Sequence, residues 1–119
     1  MTRNLELGRR GERIAADFLT LAGHRVVDRN WRGRRGELDL VTVDRGEVVA
    51  VEVKTRTSLD FGHPFEAIDR RKLHRVHRLA REWCATHRMS PTRVRVDAVA
   101  VIVWRDGARP TIEHLKGVR

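Results

Sequence analysis

An α/β sandwich around a mixed sheet, in the order α-β-β-β-α-β-β, is the fold class this sequence predicts. Three observations carry it. Two stretches, 7–22 and 66–87, place apolar residues at helical spacing. Between and after them lie short runs rich in Val, Ile and Leu, bounded by glycine-containing turns. One run, Ala98 to Trp104, is apolar over seven consecutive residues, as a strand covered on both faces would be.

In the first helix, Leu7, Gly11, Ile14, Ala15, Phe18, Leu19 and Ala22 form the apolar stripe, and Gly23 stops it. Arg25 to Asn30 leans towards a short strand, and Trp31-Arg32-Gly33-Arg34-Arg35-Gly36 reads as a basic, glycine-flanked loop. Leu38 to Val43 and Val48 to Lys54 are two strands, with Asp44-Arg45-Gly46-Glu47 as the hairpin turn between them. Ser58 to Pro64 is loop. In the second helix Ile68, Leu73, Val76, Leu79, Ala80 and Trp83 make the buried stripe, while Arg70, Arg71, Lys72, Arg75, Arg78 and Arg81 crowd the remainder. After Pro91, Arg93 to Trp104 is a central strand, Asp106-Gly107 a turn, and Thr111 to Leu115 an edge strand. No repeat or linker interrupts the pattern, so residues 1–119 read as one domain.

Charge narrows the partner. The chain has 25 Lys+Arg against 16 Asp+Glu, a net charge of +9, which favours a polyanion and makes nucleic acid the expected one. A membrane span needs about 20 apolar residues, and none is present. Met1 to Gly8 lacks the apolar segment of an export signal. The lone Cys84 excludes an internal disulfide and a cysteine-rich zinc site, and a reducing cytoplasm suits it.

The informative stretch is Gly36-Glu37-Leu38-Asp39-Leu40, followed by Val51-Glu52-Val53-Lys54-Thr55-Arg56. Residues two apart on a strand share a face, so Glu37 goes with Asp39 and Glu52 with Lys54. With either a two-residue or a four-residue turn, paired positions in this hairpin sum to 91. Asp39 then faces Glu52, and Glu37 faces Lys54. Facing residues have Cβ atoms about 4.5–5.5 Å apart, where like charges are destabilising. A divalent cation resolves the conflict, and Mg²⁺ or Mn²⁺ suits such oxygen ligands. Asp39 and Glu52 are thus the candidate metal ligands, with Lys54 placed to hold a water or to stabilise charge on a phosphate. The nearby carboxylates are expected to keep Lys54 as an ammonium. Glu12, one turn before Ala15 and Ala16 on the margin of the first helix's stripe, is a third acid that can reach the sheet.

At these residues the sequence resembles the YraN family of bacterial proteins. The matches are Gly8…Gly11-Glu12, Arg29-Asn30-Trp31-Arg32, Gly36 to Leu40, Val51 to Arg56, Lys72, and Val96-Asp97-Ala98-Val99, spread over nearly the whole chain. That family is similar to archaeal Holliday junction resolvases and to restriction-endonuclease-like nucleases of the PD-(D/E)xK kind. The resemblance implies a restriction-endonuclease-like central sheet flanked by helices, Mg²⁺- or Mn²⁺-dependent cleavage of phosphodiesters, and structured or branched DNA as substrate. Carried over by motif, Asp39 and Glu52 become metal ligands, Lys54 the catalytic lysine and Glu12 the helix acid, with Glu37 assisting. The motif's proline is absent, since Leu38 precedes Asp39. Symmetric cutting of a four-way junction needs two sites, so the resemblance also implies a homodimer.

Arg32, Arg34 and Arg35 precede the acidic strand and Arg56 follows it; with Lys72 they are the candidate phosphate contacts. Trp31 offers either a base-stacking ring or a partly buried anchor, and the anchor is the favoured reading. His74 and His77 lack a third metal ligand, and His24, His63, His87 and His114 carry no pattern. Asp97, alone in an apolar strand, needs a partner such as Lys72, Arg95 or a backbone amide. Two alternatives stand beside the nuclease: a non-catalytic nucleic-acid-binding module with a vestigial acidic site, and a protein-interaction domain whose basic face meets an acidic partner.

Overall fold

The computed structural model describes residues 2–119, with side chains from Asn4 onward. Helix α1 (Thr2–Leu21) leads to strands β1 (Arg25–Gly33), β2 (Gly36–Asp44) and β3 (Glu47–Arg56). A 3₁₀ turn (Pro64–Ala67) precedes helix α2 (Arg70–Thr86), followed by β4 (Arg93–Ile102) and β5 (Thr111–Leu115). The order is the predicted one, and the five strands form one sheet in the order β1-β2-β3-β4-β5. β3 and β4 run parallel, joined by the α2 crossover, and the other neighbours are antiparallel. The sheet is mixed, with one helix against each face.

Alternation along β3 divides the core. Val48 and Ala50 pack with Leu73, Val76, Leu79 and Trp83 of α2. Val49, Val51 and Val53 pack with Ala15, Ala16 and Leu19 of α1. Burial on both faces explains the apolar run of β4, where Val96, Ala98 and Val101 are each at most 1% exposed.

Two expectations are corrected. The stretch Trp31 to Gly36 is not a loop: β1 continues to Gly33 and turns through Arg34-Arg35 into β2, with Trp31 paired to Leu38 and Arg32 to Glu37. An edge strand exposes one side of its ladder, so charged residues are tolerated there. The second helix begins four residues late, because the Asp69 carboxylate accepts the Lys72 amide at 2.8 Å and caps it. His63 and Glu66 cap the separate 3₁₀ turn before it. Among the described residues no helix is long and apolar enough to cross a membrane.

Candidate functional site

The predicted register holds from Asp44–Glu47 at the turn to Leu40–Val51. Beyond that pair the two strands part. β2 stays with β1 as far as Gly36, and β3 stays with β4 as far as Arg56. Asp39 and Glu52 lie at the mouth of this fork. The Val53 amide donates to Asp39 Oδ2 at 2.8 Å, so a carboxylate takes a position that a ladder carbonyl would otherwise fill.

The cluster that results is crowded with charge. Burial and the Glu52 charge push the Asp39 carboxyl up to about 7, against the Val53 hydrogen bond. Glu12 of α1 also contributes to the rise at Asp39, and its own pKa is raised by burial and by Glu37 and Glu52. With its amide nitrogen facing the acids, Asn30 lies 3.0 Å from Glu12 Oε1 and 3.2 Å from Glu37 Oε1. Asn30 has φ 50°, a left-handed conformation that asparagine tolerates better than most residues. Glu37 is not opposite Lys54; it sits on the exposed rim, 3.6 Å from Arg32.

Lys54 and Lys72 both address Glu52 Oε1, with Nζ at 3.4 and 3.2 Å. Lys72 therefore belongs to the acidic site rather than to Asp97, and it projects there from the first turn of α2. The two ammonium groups compete. Burial and the hydrogen bond with Lys72 lower the Lys54 pKa in spite of Glu52. Burial also disfavours charge on Lys72, but the Lys54 hydrogen bond and Glu52 hold its pKa above the usual value. A second cation, invisible in strand spacing, thus shares the Glu52 carboxylate with Lys54.

Beside the fork lies a cleft of about 500 Å³ lined by Gly8, Glu12, Lys54, Thr55, Arg56 and Phe61, among others, though not by Asp39 or Glu52. Gly11 permits this wall, since a Cβ there would overlap the Thr55 side chain. On its other flank Glu12 lines a hollow together with Arg9, Arg13 and Arg29. Arg34 and Arg35 lie away from the cleft, in a second hollow of about 260 Å³ shared with Arg75 and Arg78 of α2. The Arg34 amide donates to both Glu82 carboxylate oxygens, at 3.1 and 3.3 Å, pinning the β1–β2 turn to α2. Trp31 packs against the α2-side core, as an anchor.

A second polar centre surrounds Asp97, whose expected partners, Arg95 and a backbone amide, are both present, while His114 was not foreseen. Asp97, fully buried, accepts from Arg95 Nε at 2.8 Å and Nη2 at 3.1 Å, from the Gly117 amide at 3.0 Å, and pairs with His114 Nε2 at 2.8 Å. Burial alone would raise its pKa, but these bonds hold it well below the carboxylate range. Arg95 also reaches Asp44 at 3.0 Å and Glu47 at 2.7 Å. His24, Asp97 and His114 offer ligand atoms within 4.8 Å of one another, a group close enough to hold a metal ion. The Asp97 oxygens, however, are already engaged by four donors and faced by a guanidinium. A lone acid in an apolar strand announced the Arg95 and amide partners in the sequence; the two histidines, one just after α1 and one in β5, come to it only through the fold.

A protein of Paenarthrobacter aurescens (strain TC1) is 54% identical over 112 residues, covering 94% of this chain and 92% of the relative. One from Renibacterium salmoninarum is 48% identical over 118 residues, covering 99% of each. Both carry the name UPF0102 protein. Residues 11–101, which hold the whole fork from Glu12 to Lys72, match the family model described as "Uncharacterised protein family UPF0102", and the chain belongs to that family.

Proposed function

We propose that this chain is a metal-dependent endonuclease that hydrolyses phosphodiesters in structured DNA, resembling the PD-(D/E)xK nucleases and the archaeal junction resolvases. The observation that carries this reading is the meeting of Asp39 and Glu52 where β2 leaves β3, with Glu12, Lys54 and Lys72 around them. Hard oxygen donors, one of them with a carboxyl pKa raised to about 7 by burial and by its neighbour's charge, form a set that fits Mg²⁺ or Mn²⁺. Asp39 and Glu52 would hold the ion. When bound, it supplies charge neutralisation at a phosphate and lowers the pKa of a water.

The chain's own residues supply the rest. Lys54, beside Glu52, holds a water or stabilises charge at the scissile phosphate. Lys72, more firmly charged, stabilises the extra negative charge as water adds. Glu12 and Glu37, steadied by Asn30, assist at the margin of the site. Arg56 on the cleft wall and Arg32, Arg34 and Arg35 beyond it hold backbone phosphates, with Arg75 and Arg78 extending that track. A homodimer would bring two such forks to one junction.

One observation favours a second reading, a binding module without catalysis: two lysines already neutralise Glu52 with no ion needed. A cleavage assay on labelled four-way junction, fork, duplex and single strand separates the two. Mg²⁺- or Mn²⁺-dependent cutting is expected, lost by at least 100-fold in Asp39→Asn and in Glu52→Gln while DNA affinity is retained, in the range of ~10²–10⁴ for a group acting in the transition state. Tight binding with no cut under either metal would replace the nuclease by the module.

A further inference from the structure

The cleft carries an apolar group for which acid and phosphate chemistry has no use. Phe61 is 97% exposed, yet it lines the same cleft as Glu12, Lys54, Thr55 and Arg56. Singly exposed apolar residues are ordinary on protein surfaces. Phe61 differs because the segment around it is built to hold it out. The Gly62 amide donates to the Leu59 carbonyl at 3.0 Å, closing a tight turn with Phe61 at its tip. Gly62 has φ +93°, and a Cβ there would strike the Glu66 carboxylate. That carboxylate in turn accepts the His63 amide at 2.6 Å, and His63 Nδ1 accepts the Phe65 amide at 3.0 Å. On the far side His63 Nε2 pairs with Glu113 of β5 at 2.9 Å. The turn is braced at its base from two directions, and the ring has not folded back onto the core.

We propose that Phe61 is a stacking platform for a nucleobase freed from its duplex, so that the substrate class is DNA with an unpaired base beside the scissile phosphate. This rests on the nuclease reading for the position of that phosphate. Three features converge on it. A phenyl ring offers a flat apolar face, and base faces are available only at ends, forks, junctions and single strands, since a duplex shows its edges. Arg56 and Lys54 in the same cleft suit the phosphates that flank such a base. Holding the ring outward in advance removes the ordering cost that a floppy loop would incur on binding. Trp31, the ring that sequence alone offered for stacking, is occupied in the core.

The test measures affinity in EDTA for three DNAs of one sequence: a three-strand fork, a single strand and a blunt duplex. Wild type is compared with Phe61→Ala, Phe61→Leu and Phe61→Tyr; the ring touches no core residue, so all should fold. Loss of stacking should weaken fork and single-strand binding roughly 10- to 100-fold in Ala and substantially in Leu, with duplex affinity unchanged and Tyr close to wild type. A 2-aminopurine beside the branch should change its emission on binding wild type or Tyr, and not on binding Ala or Leu. Equal affinities throughout, or an equal loss on all three DNAs, would overturn the stacking role even where wild type cuts. Selective loss in a protein that cuts nothing with either metal would sink the nuclease and leave the platform standing. No binding to any of these DNAs would overturn both.

Discussion

Asp39 is held between opposed demands. The Val53 amide favours its charge, while burial and the carboxylate of Glu52 oppose it and win, leaving a pKa of about 7 against an ordinary 3.8. Between those values the folded chain keeps a proton that the unfolded chain releases, so this group's contribution to stability falls as pH rises from about 4 to 7. Asp39→Asn keeps an oxygen for the Val53 amide and has no proton to lose. The metal-free variant should therefore melt above wild type at pH 8 and close to it at pH 5, and Mn²⁺ should raise the wild-type melting temperature at pH 8 without raising the variant's comparably. Thermal melts at the two pH values check this, and a variant less stable than wild type at pH 8 would count against the assigned repulsion. That Asp39 and Glu52 come near each other was legible in the sequence because alternation and hairpin register are local arithmetic, although the ladder stops one pair short of them, at Leu40–Val51. Lys72 and Phe61 were not. One reaches the site through the way α2 packs, and the other is conspicuous only once its surroundings exist.

The helix–sheet contact that places Glu12 depends on a single missing side chain. At Gly11 α1 lies so close to β3 that any Cβ would overlap Thr55. In an exposed helix Gly→Ala gains about 1 kcal/mol from propensity. Here overpacking should reverse the sign, and Gly11→Ala is expected to cost about 1–3 kcal/mol by urea denaturation. Thr55→Ala in the same chain should recover part of that loss, since it removes two of the three overlapping atoms. A neutral or stabilising Gly11→Ala would mean that α1 sits farther from the sheet. Element types were readable from periodicity, while boundaries were lost where capping or pairing overrides composition. Asp69 starts α2 after Ile68, although Ile68 keeps its place in the apolar stripe by packing on the core from outside the helix. The run Trp31 to Gly36 looked like a loop because it is basic and rich in glycine, whereas pairing with β2 makes most of it strand.

Taken as a whole the molecule is a cation of +9. Polyanion binding should then be governed by counterion release, and affinity for DNA should fall linearly in log–log coordinates as salt rises. Arg34→Ala together with Arg35→Ala should reduce the magnitude of that slope by about 2, because each arginine that no longer neutralises a phosphate lowers it by about 1. An unchanged slope would remove the β1–β2 turn from the DNA path. The net charge pointed to such a surface from composition alone. Its division into a cleft and an arginine hollow needed the fold, since Arg75 and Arg78 meet Arg34 and Arg35 only across α2.

The parallel pairing of β3 with β4 also orders events in time. Glu12, Glu37, Asp39 and Glu52 all belong to the run from α1 to β3, whose strands are joined by two-residue turns and close through local contacts. Lys72 reaches Glu52 only when α2 has crossed over and docked, a slower and non-local closure. Four acids and Lys54 thus assemble before the second counter-ion, Lys72, arrives. Stopped-flow chevrons should show Asp39→Asn refolding faster than wild type, while Lys72→Met refolds at the wild-type rate and unfolds faster. Refolding slowed by Lys72→Met would place α2 docking in the folding nucleus instead.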